Sequence, residues 1–169
     1  LRDPRVRVQV GDVRNLMRGT SSPWDAVLLR AAEPSTLLAA RVLTRESFAE
    51  IRRALRPEGV LAFSLPGAEN YYPTDLVARN GAVWKALAAQ FAHVVASPLS
   101  TNTFLASSSP LQTKADELAQ RLAARKVVGA FVDEASLDAL MPSQRMRELE
   151  ARYRASPVLA AGDRQPTAY

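Results

Sequence analysis

The sequence of 169 residues predicts an α/β fold, and three observations lead to this class. Two apolar runs of strand length, at 24–29 and 59–65, flank a segment in which apolar residues recur at helical spacing. Turn-forming Pro and Gly residues separate these segments. A strand, a helix and a strand in this order favour a right-handed parallel crossover. With 47% hydrophobic residues, the chain can bury one sizeable core.

The first predicted strand lies near the amino terminus. Val6, Val8 and Val10 alternate with polar residues, which is the period of a β-strand. Gly11 and Asp12 then form a turn. We therefore expect a strand to precede the crossover.

The segment at 24–36 carries the second predicted strand and the loop after it. Ala26 to Leu29 are continuously apolar, as in a strand that is covered on both faces in a parallel sheet. The carboxyl end of such a strand faces the usual ligand crevice of an α/β sheet. Arg30 stands at this end, and its permanent positive charge prevents it from acting as a general base. A carboxylate, Glu33, follows in the loop.

A helix is predicted between the second and third strands. Phe48, Ile51 and Leu55 recur at helical spacing, and Thr44 is suited to cap the amino terminus. The helix ends at the Pro-Glu-Gly turn that leads into the third strand.

The remainder of the chain is predicted to contain a further helix, a hairpin and peripheral helices. The helix begins near Asn80, and two strands at 93–97 and 103–107 suit an antiparallel hairpin at a sheet edge. Residues 111–155 are interpreted as a peripheral helical extension. Residues 156–169 are interpreted as an extended tail.

The composition argues against several classes of function. The sequence has no Cys and a single His, so we expect no metal site. The formal net charge of +5 comes from arginines scattered among acids, which predicts a solvated surface and no specific nucleic-acid partner. No apolar stretch reaches the roughly 20 residues of a membrane-spanning helix.

Three segments resemble the spermidine synthase family of aminopropyltransferases, which share the fold of S-adenosylmethionine-dependent methyltransferases. They read DPRVRVQVGDVR at 3–14, the run from WDAVLLRAAEPST to GAENYY at 24–72, and FLAS at 104–107. The resemblance implies that 1–110 form the carboxy-terminal part of a Rossmann-like domain without its first strands. Its sheet is expected to be mostly parallel, with an antiparallel edge hairpin. The ending GDRQPTAY is similar to the tail of bacterial members that are joined to membrane-spanning segments.

The resemblance implies a nucleoside site near the amino terminus. In the family, an Asp followed by a small residue after the third strand contacts the adenine amino group, and Asp12 with Val13 stands at that position. A carboxylate can accept a hydrogen bond from an exocyclic amine. From the residues alone, Asp12 is equally consistent with a turn former or a helix N-cap.

The family's catalytic segment reads Asp, two variable residues, Asp and Pro at a strand end, and this sequence departs from it. Arg30 replaces the first Asp, which in the family helps to deprotonate the attacking amine. Glu33 is therefore the candidate catalytic base, with an exposed loop acid as the alternative interpretation. We assign Arg30, Pro34 and Ser35 to substrate binding. Ser64, which replaces a Gln at the next strand end, is assigned to the same role.

The loop GAENYYPTD after the third strand is a further candidate site. Tyr71 and Tyr72, beside Glu69 and Asp75, are suited to receive an amine through aromatic and carboxylate contacts. The resulting hypothesis is a lid that contributes Tyr71, Tyr72 and Asp75 to substrate binding. An ordinary crossover loop is the alternative.

Three functions follow from the resemblance. The first is transfer of an aminopropyl group from decarboxylated S-adenosylmethionine, as co-substrate, to a polyamine acceptor. The second is a catalytically inactive ligand-sensing or protein-interaction module that keeps the fold without the base. The third is a methyltransferase that uses S-adenosylmethionine and holds an anionic small molecule with Arg30.

The resemblance also implies partners and a location. The family's glycine-rich loop and ribose-binding acid belong before Leu1, so we expect upstream strands of a longer protein, or a second copy, to cover the exposed sheet edge. The small-molecule partners are a nucleoside and a polyamine. Because the donor is made in the cytoplasm, the implied location is cytoplasmic, either alone or as the soluble domain of an inner-membrane protein.

Overall fold

A computed structural model describes residues 3–30, 36–127, 129 and 132–166. A 3-10 turn, Arg41–Leu43, follows the second helix. The helices of the described residues are α1 (Val13–Arg18), α2 (Leu37–Ala40), α3 (Arg45–Ala54), α4 (Thr74–Ala88), α5 (Ala115–Ala124), α6 (Glu134–Leu140) and α7 (Ser143–Ala155). Their strands are β1 (Trp24–Leu29), β2 (Leu55–Pro66), β3 (His93–Ser97) and β4 (Thr101–Ser107).

The strands form a mixed sheet in the order β1-β2-β4-β3. β1 and β2 are parallel, whereas β4 runs antiparallel to both β2 and β3. Three strands therefore point in one direction, which confirms the predicted α/β class, the parallel crossover and the antiparallel hairpin. Within the hairpin, β4 lies inside the sheet because it pairs with β2 as well as with β3, and only β3 is at the edge.

The core lies on one face of the sheet, and a column of aromatic rings runs through it. Phe48 of α3 stacks on Phe63 of β2, Phe63 on Phe104 of β4, and Phe104 on Tyr153 of α7. Successive ring centroids are 5.8, 5.1 and 6.1 Å apart, and every ring is buried. Stacked aromatic pairs add a specific geometry to apolar burial. The column therefore fixes α3 and α7 relative to the two central strands.

Two predictions about strands are wrong. Residues 6–10 form no strand, and Val10 is 99% exposed. Alternation produces a strand only where a second strand pairs with it, and within the described residues β1 pairs with β2 alone. β1 itself is covered on one face, since Val27 is buried but Leu28 is 79% exposed. An apolar run indicates a strand without indicating how many of its faces are covered.

The predicted helices are confirmed in type, but two boundaries differ. α3 ends at Ala54, and residues 55–59, predicted as the end of the helix and a turn, lie in β2. Thr44 caps α3, because its hydroxyl oxygen accepts a hydrogen bond from the Ser47 backbone N–H at 3.3 Å. α4 begins at Thr74, well before the predicted start near Asn80. The apolar face of α4 extends into its first turn, where Leu76 is buried.

The carboxy-terminal region is partly peripheral and partly in the core. α5 and α6 are peripheral as predicted, with no buried residue in either helix. α7 instead packs into the core, where Leu149 and Tyr153 are buried. The predicted tail has no helix at 156–166, yet Ala161 is buried and its N–H donates to the carbonyl of Ala82 at 3.0 Å. This segment therefore lies against α4.

Candidate functional site

A cavity of about 290 Å³ opens at the carboxyl ends of β1 and β2. Ligands of α/β proteins usually bind at this place, where neighbouring parallel strands end side by side. Ser64 of β2 is paired in register with Thr103 of β4, and their hydroxyl oxygens are 3.1 Å apart. The cavity combines an apolar wall, two hydroxyl groups and one cation. Its lining residues are Leu28, Leu29, Arg30, Ala62, Phe63, Ser64 and Thr103.

Arg30 provides the charge of the cavity. It directly follows β1 and is exposed, and the described lining residues include no carboxylate. The predicted base Glu33, with the predicted substrate-binding residues Pro34 and Ser35, lies outside the described residues. The described groups can bind an anion or an oxygen-bearing ligand. They cannot accept a proton from an amine at neutral pH.

Asp12 caps the amino terminus of α1. Its Oδ1 atom accepts hydrogen bonds from the backbone N–H groups of Arg14 and Asn15, at 2.9 and 3.1 Å. The residue is exposed, and its second oxygen, Oδ2, accepts no hydrogen bond from the described residues. Val13 begins the helix and is half-buried. The N-cap and the ligand contact are therefore compatible, because each uses a different oxygen of one carboxylate.

The loop between β2 and α4, predicted as a lid, is held against α7. Arg145 of α7 donates to the backbone carbonyl of Glu69 at 2.5 Å. The guanidinium carbon of Arg152 lies 5.2 Å from the ring centroid of Tyr72, within the range of a cation–π contact. Tyr71 is exposed, and Asp75 lies in the first turn of α4. The described lining of the cavity includes none of these side chains, and the lid stays a prediction.

An ion cluster between α1, α3 and the tail, centred on the buried pair Arg14 and Glu50, was not predicted from the sequence. Arg14 Nε and Nη2 donate to the two carboxylate oxygens of Glu50, at 2.8 and 2.9 Å. Arg14 Nη1 donates to both oxygens of Asp163 at 2.9 Å. Arg18 adds two further hydrogen bonds to Glu50, and Thr44 donates to Asp163 at 2.7 Å. One guanidinium therefore joins two carboxylates that are far apart in the sequence.

The cluster shifts the pKa values of Glu50, Arg14 and Asp163 toward their charged forms. Hydrogen bonds from Arg14 are the largest influence on Glu50 and lower its pKa to about 2, although burial opposes them. The same hydrogen bonds raise the pKa of Arg14. Burial raises the pKa of Asp163, but hydrogen bonds from Thr44 and Arg14 outweigh it, and the net pKa is lowered. The cluster is consequently ionised at neutral pH.

One signal in the sequence points to this cluster. Glu50 lies on the buried face of α3, which also carries Phe48, Ile51 and Ala54. A buried acid requires a partner, and so a position on an apolar stripe predicts an ion pair. Nothing in the local sequence identifies Arg14 as that partner.

A second buried network joins the ends of the central strands to α7. The Tyr153 hydroxyl donates to Asn102 Oδ1 at 2.8 Å, and Asn102 Nδ2 donates to the carbonyl of Ser97 at 2.9 Å. Asn80 Nδ2 donates to the carbonyl of Pro66 at 2.9 Å. Burial raises the pKa of Tyr153, so its hydroxyl keeps its proton and remains a donor. The network holds the loops that follow β2 and β3.

Two structural features bear on metal and membrane binding. Within the described ranges, no group of three or more His, Asp or Glu side chains is arranged to hold a metal ion. In the same part of the chain, every helix is too short or too polar to span a bilayer.

The sheet order, the parallel crossover and the cavity at the strand ends define an α/β fold similar to that of methyltransferase-fold proteins. A crystal structure described as a probable spermidine synthase from Corynebacterium glutamicum matches with a TM-score of 0.56 and 15% sequence identity. The match covers 96% of this chain and 56% of that chain, so this chain spans little more than half the length of that protein. At this identity the likeness shows the fold alone. No family model and no curated protein matches the sequence.

Proposed function

We propose that this chain is part of a spermidine synthase-like domain that transfers an aminopropyl group from decarboxylated S-adenosylmethionine to a polyamine. The cavity at the ends of β1 and β2 carries the proposal, because it lies where this fold binds ligands. The free Oδ2 atom of Asp12 supports a contact to the adenine amino group. The proposed substrate contacts are Asp12, Val13, Arg30, Pro34, Ser35, Ser64, Tyr71, Tyr72 and Asp75.

The proposed reaction requires a base near the cavity. The acceptor nitrogen forms a bond to the aminopropyl carbon while the bond from that carbon to sulfur breaks, and the electron pair leaves with sulfur as a neutral thioether. The nitrogen gives up one proton to a base. Glu33 is the proposed base because Arg30 cannot accept a proton. The sulfonium is already a good leaving group, and positioning supplies much of the remaining catalysis.

Arg30 supports two other candidate functions. A cation at the end of β1 repels a polycationic acceptor, and the described lining residues offer no carboxylate to offset it. An inactive ligand-sensing or protein-interaction module would tolerate this charge. A methyltransferase with an anionic substrate would use it, since a guanidinium binds a carboxylate through two parallel hydrogen bonds.

We further propose that the free side of β1 packs against additional strands. Within the described residues β1 has one neighbour, β2, and Leu28 is exposed on the open face. An apolar edge of this kind is usually covered. Amide exchange at those positions of residues 24–29 whose N–H groups point away from β2 tests the proposal in the protein at its natural length, because the other N–H groups are already protected by β2. Protection that is independent of protein concentration indicates strands of the same chain, protection that rises with concentration indicates a second copy, and rapid exchange at all concentrations contradicts the proposal.

The transferase proposal is tested by measuring aminopropyl transfer to putrescine by the protein at its natural length. We expect Glu33→Gln to lower the rate by about 100-fold, the typical contribution of a general base. The exposed Glu58 provides a matched control, and Glu58→Gln should leave the rate unchanged. Arg30→Asp should raise the rate, because it removes the cation and supplies a carboxylate. Wild-type and Arg30→Asp proteins that bind the nucleoside and transfer nothing would favour the inactive module.

A further inference from the structure

The carboxy-terminal segment and the start of α1 meet at a single residue, Arg14. The backbone N–H of Arg14 is one of the two donors that hold the Asp12 carboxylate, at 2.9 Å. Its side chain, which is buried, forms two hydrogen bonds of 2.9 Å with Asp163. The residue that orients Asp12 is thus itself held by the tail.

We propose that Asp163 is a positioning residue for the nucleoside site, and that it acts through Arg14 on α1 and the Asp12 carboxylate. The proposal rests on the proposed function in so far as Asp12 contacts the nucleoside. Asp163 need not touch the ligand itself. Its role is to fix the direction in which the free oxygen of Asp12 points.

The length of α1 explains why such a device is needed. The helix has six residues, and a helix this short is not stable by its own hydrogen bonds. Its buried side chain is Arg14. The ion cluster is therefore the principal polar connection between α1 and α3, and Asp163 supplies one of its two carboxylates.

The tail is held beside α1 by hydrogen bonds to α3 and α4. The backbone N–H of Asp163 donates to Glu46 Oε2 at 3.0 Å. Two residues before Asp163, the Ala161 N–H donates to the carbonyl of Ala82 at 3.0 Å, and the Ala161 carbonyl accepts from the Arg45 N–H at 2.9 Å. The segment is thus fixed to both α3 and α4. A tail held in this way places the Asp163 carboxylate beside the guanidinium of Arg14.

Two variants and a matched control test the proposal in the protein at its natural length. Asp163→Asn removes the charge at nearly constant size, and Asp163→Glu restores it. Lys85→Met is the control, because Lys85 Nζ donates to the carbonyls of Ser156 and Val158 and so anchors the same tail away from α1. The first readout is the Kd, measured by calorimetry, of the thioether nucleoside that aminopropyl transfer would release. The second is the hydrogen exchange of the Arg14 and Asn15 backbone amides.

We expect Asp163→Asn to weaken nucleoside binding about tenfold, as for the loss of one charge-assisted hydrogen bond. The two capped amides should exchange at least tenfold faster, and Asp163→Glu should recover part of both effects. Lys85→Met should lower the Tm and leave Kd and the capped amides unchanged. Equal effects of Asp163→Asn and Lys85→Met, or unchanged amide exchange in Asp163→Asn, would overturn the proposal. If the wild type binds no nucleoside, the proposed function fails, and the amide exchange still decides whether Asp163 orders α1.

Discussion

The buried carboxylate of Glu50 offers the sharpest test of the ion cluster. Glu50→Gln keeps the shape of the side chain and removes its charge. The hydrogen bonds from Arg14 lower the pKa of Glu50 from its ordinary value of 4.5 to about 2. Each pKa unit corresponds to about 1.4 kcal/mol, so the ionised carboxylate contributes on the order of 3 kcal/mol to folding at neutral pH. We expect Glu50→Gln to lower the free energy of unfolding by about this amount.

The pH dependence of the difference identifies its origin. A lowered pKa stabilises the folded state fully above pH 4.5 and loses this stabilisation as the pH falls toward about 2. Urea unfolding of wild type and Glu50→Gln at pH 7 and pH 3 should therefore show a difference that shrinks by more than half. Glu150→Gln is the control, since its ion pair with Arg154 lies on the surface and is worth less than about 1 kcal/mol. A pH-independent difference, or one no larger than that of Glu150→Gln, would show that the charge of Glu50 does not stabilise the fold.

Two further predictions concern the network around Asn102, and one concerns Asp12. Gly67→Ala should lower the free energy of unfolding by about 1 to 3 kcal/mol, because the added Cβ atom would lie 2.6 Å from Asn102 Nδ2. Gly11→Ala is the control: its Cβ atom meets no atom within 4 Å, so urea unfolding should give an unchanged free energy. Equal losses of stability in the two variants would contradict this prediction. Tyr153→Phe should lower the free energy of unfolding by about 1 to 2 kcal/mol, because it removes the 2.8 Å hydrogen bond to Asn102. An unchanged Tm would contradict this prediction. Asp12→Asn should leave the Tm unchanged, because Asn is as good an N-cap as Asp, and a fall of several degrees would show that the charge itself stabilises α1.

The sequence predicted those features that arise from local patterns. The crossover from β1 through α3 to β2 follows from apolar spacing and from the Thr44 cap, and the structure confirms the type and order of these elements, although β2 begins at Leu55, before the predicted turn. The place of Arg30 at a strand end was predictable for the same reason. The interpretation of residues 111–155 as helical also holds for α7.

The features that depend on distant partners were not predictable. The alternation of residues 6–10 is a genuine strand pattern, but no described strand pairs with it. Arg14 has the appearance of an ordinary surface residue, and its partners Glu50 and Asp163 lie 36 and 149 residues away. The Gly-Asp-Arg turn at 162–164 resembles a free tail until its contacts with α3 are known.

The proposed function requires the Asp12 carboxylate to bind a nucleoside, and calorimetric titration of the thioether product of aminopropyl transfer measures this binding. The protein at its natural length should bind with a micromolar Kd. Asp12→Asn keeps the oxygen that caps α1 and replaces the free oxygen by an amide donor, so it should weaken binding at least about tenfold. Wild-type protein that does not bind, or an Asp12→Asn variant that binds equally well, would show that Asp12 does not contact the nucleoside.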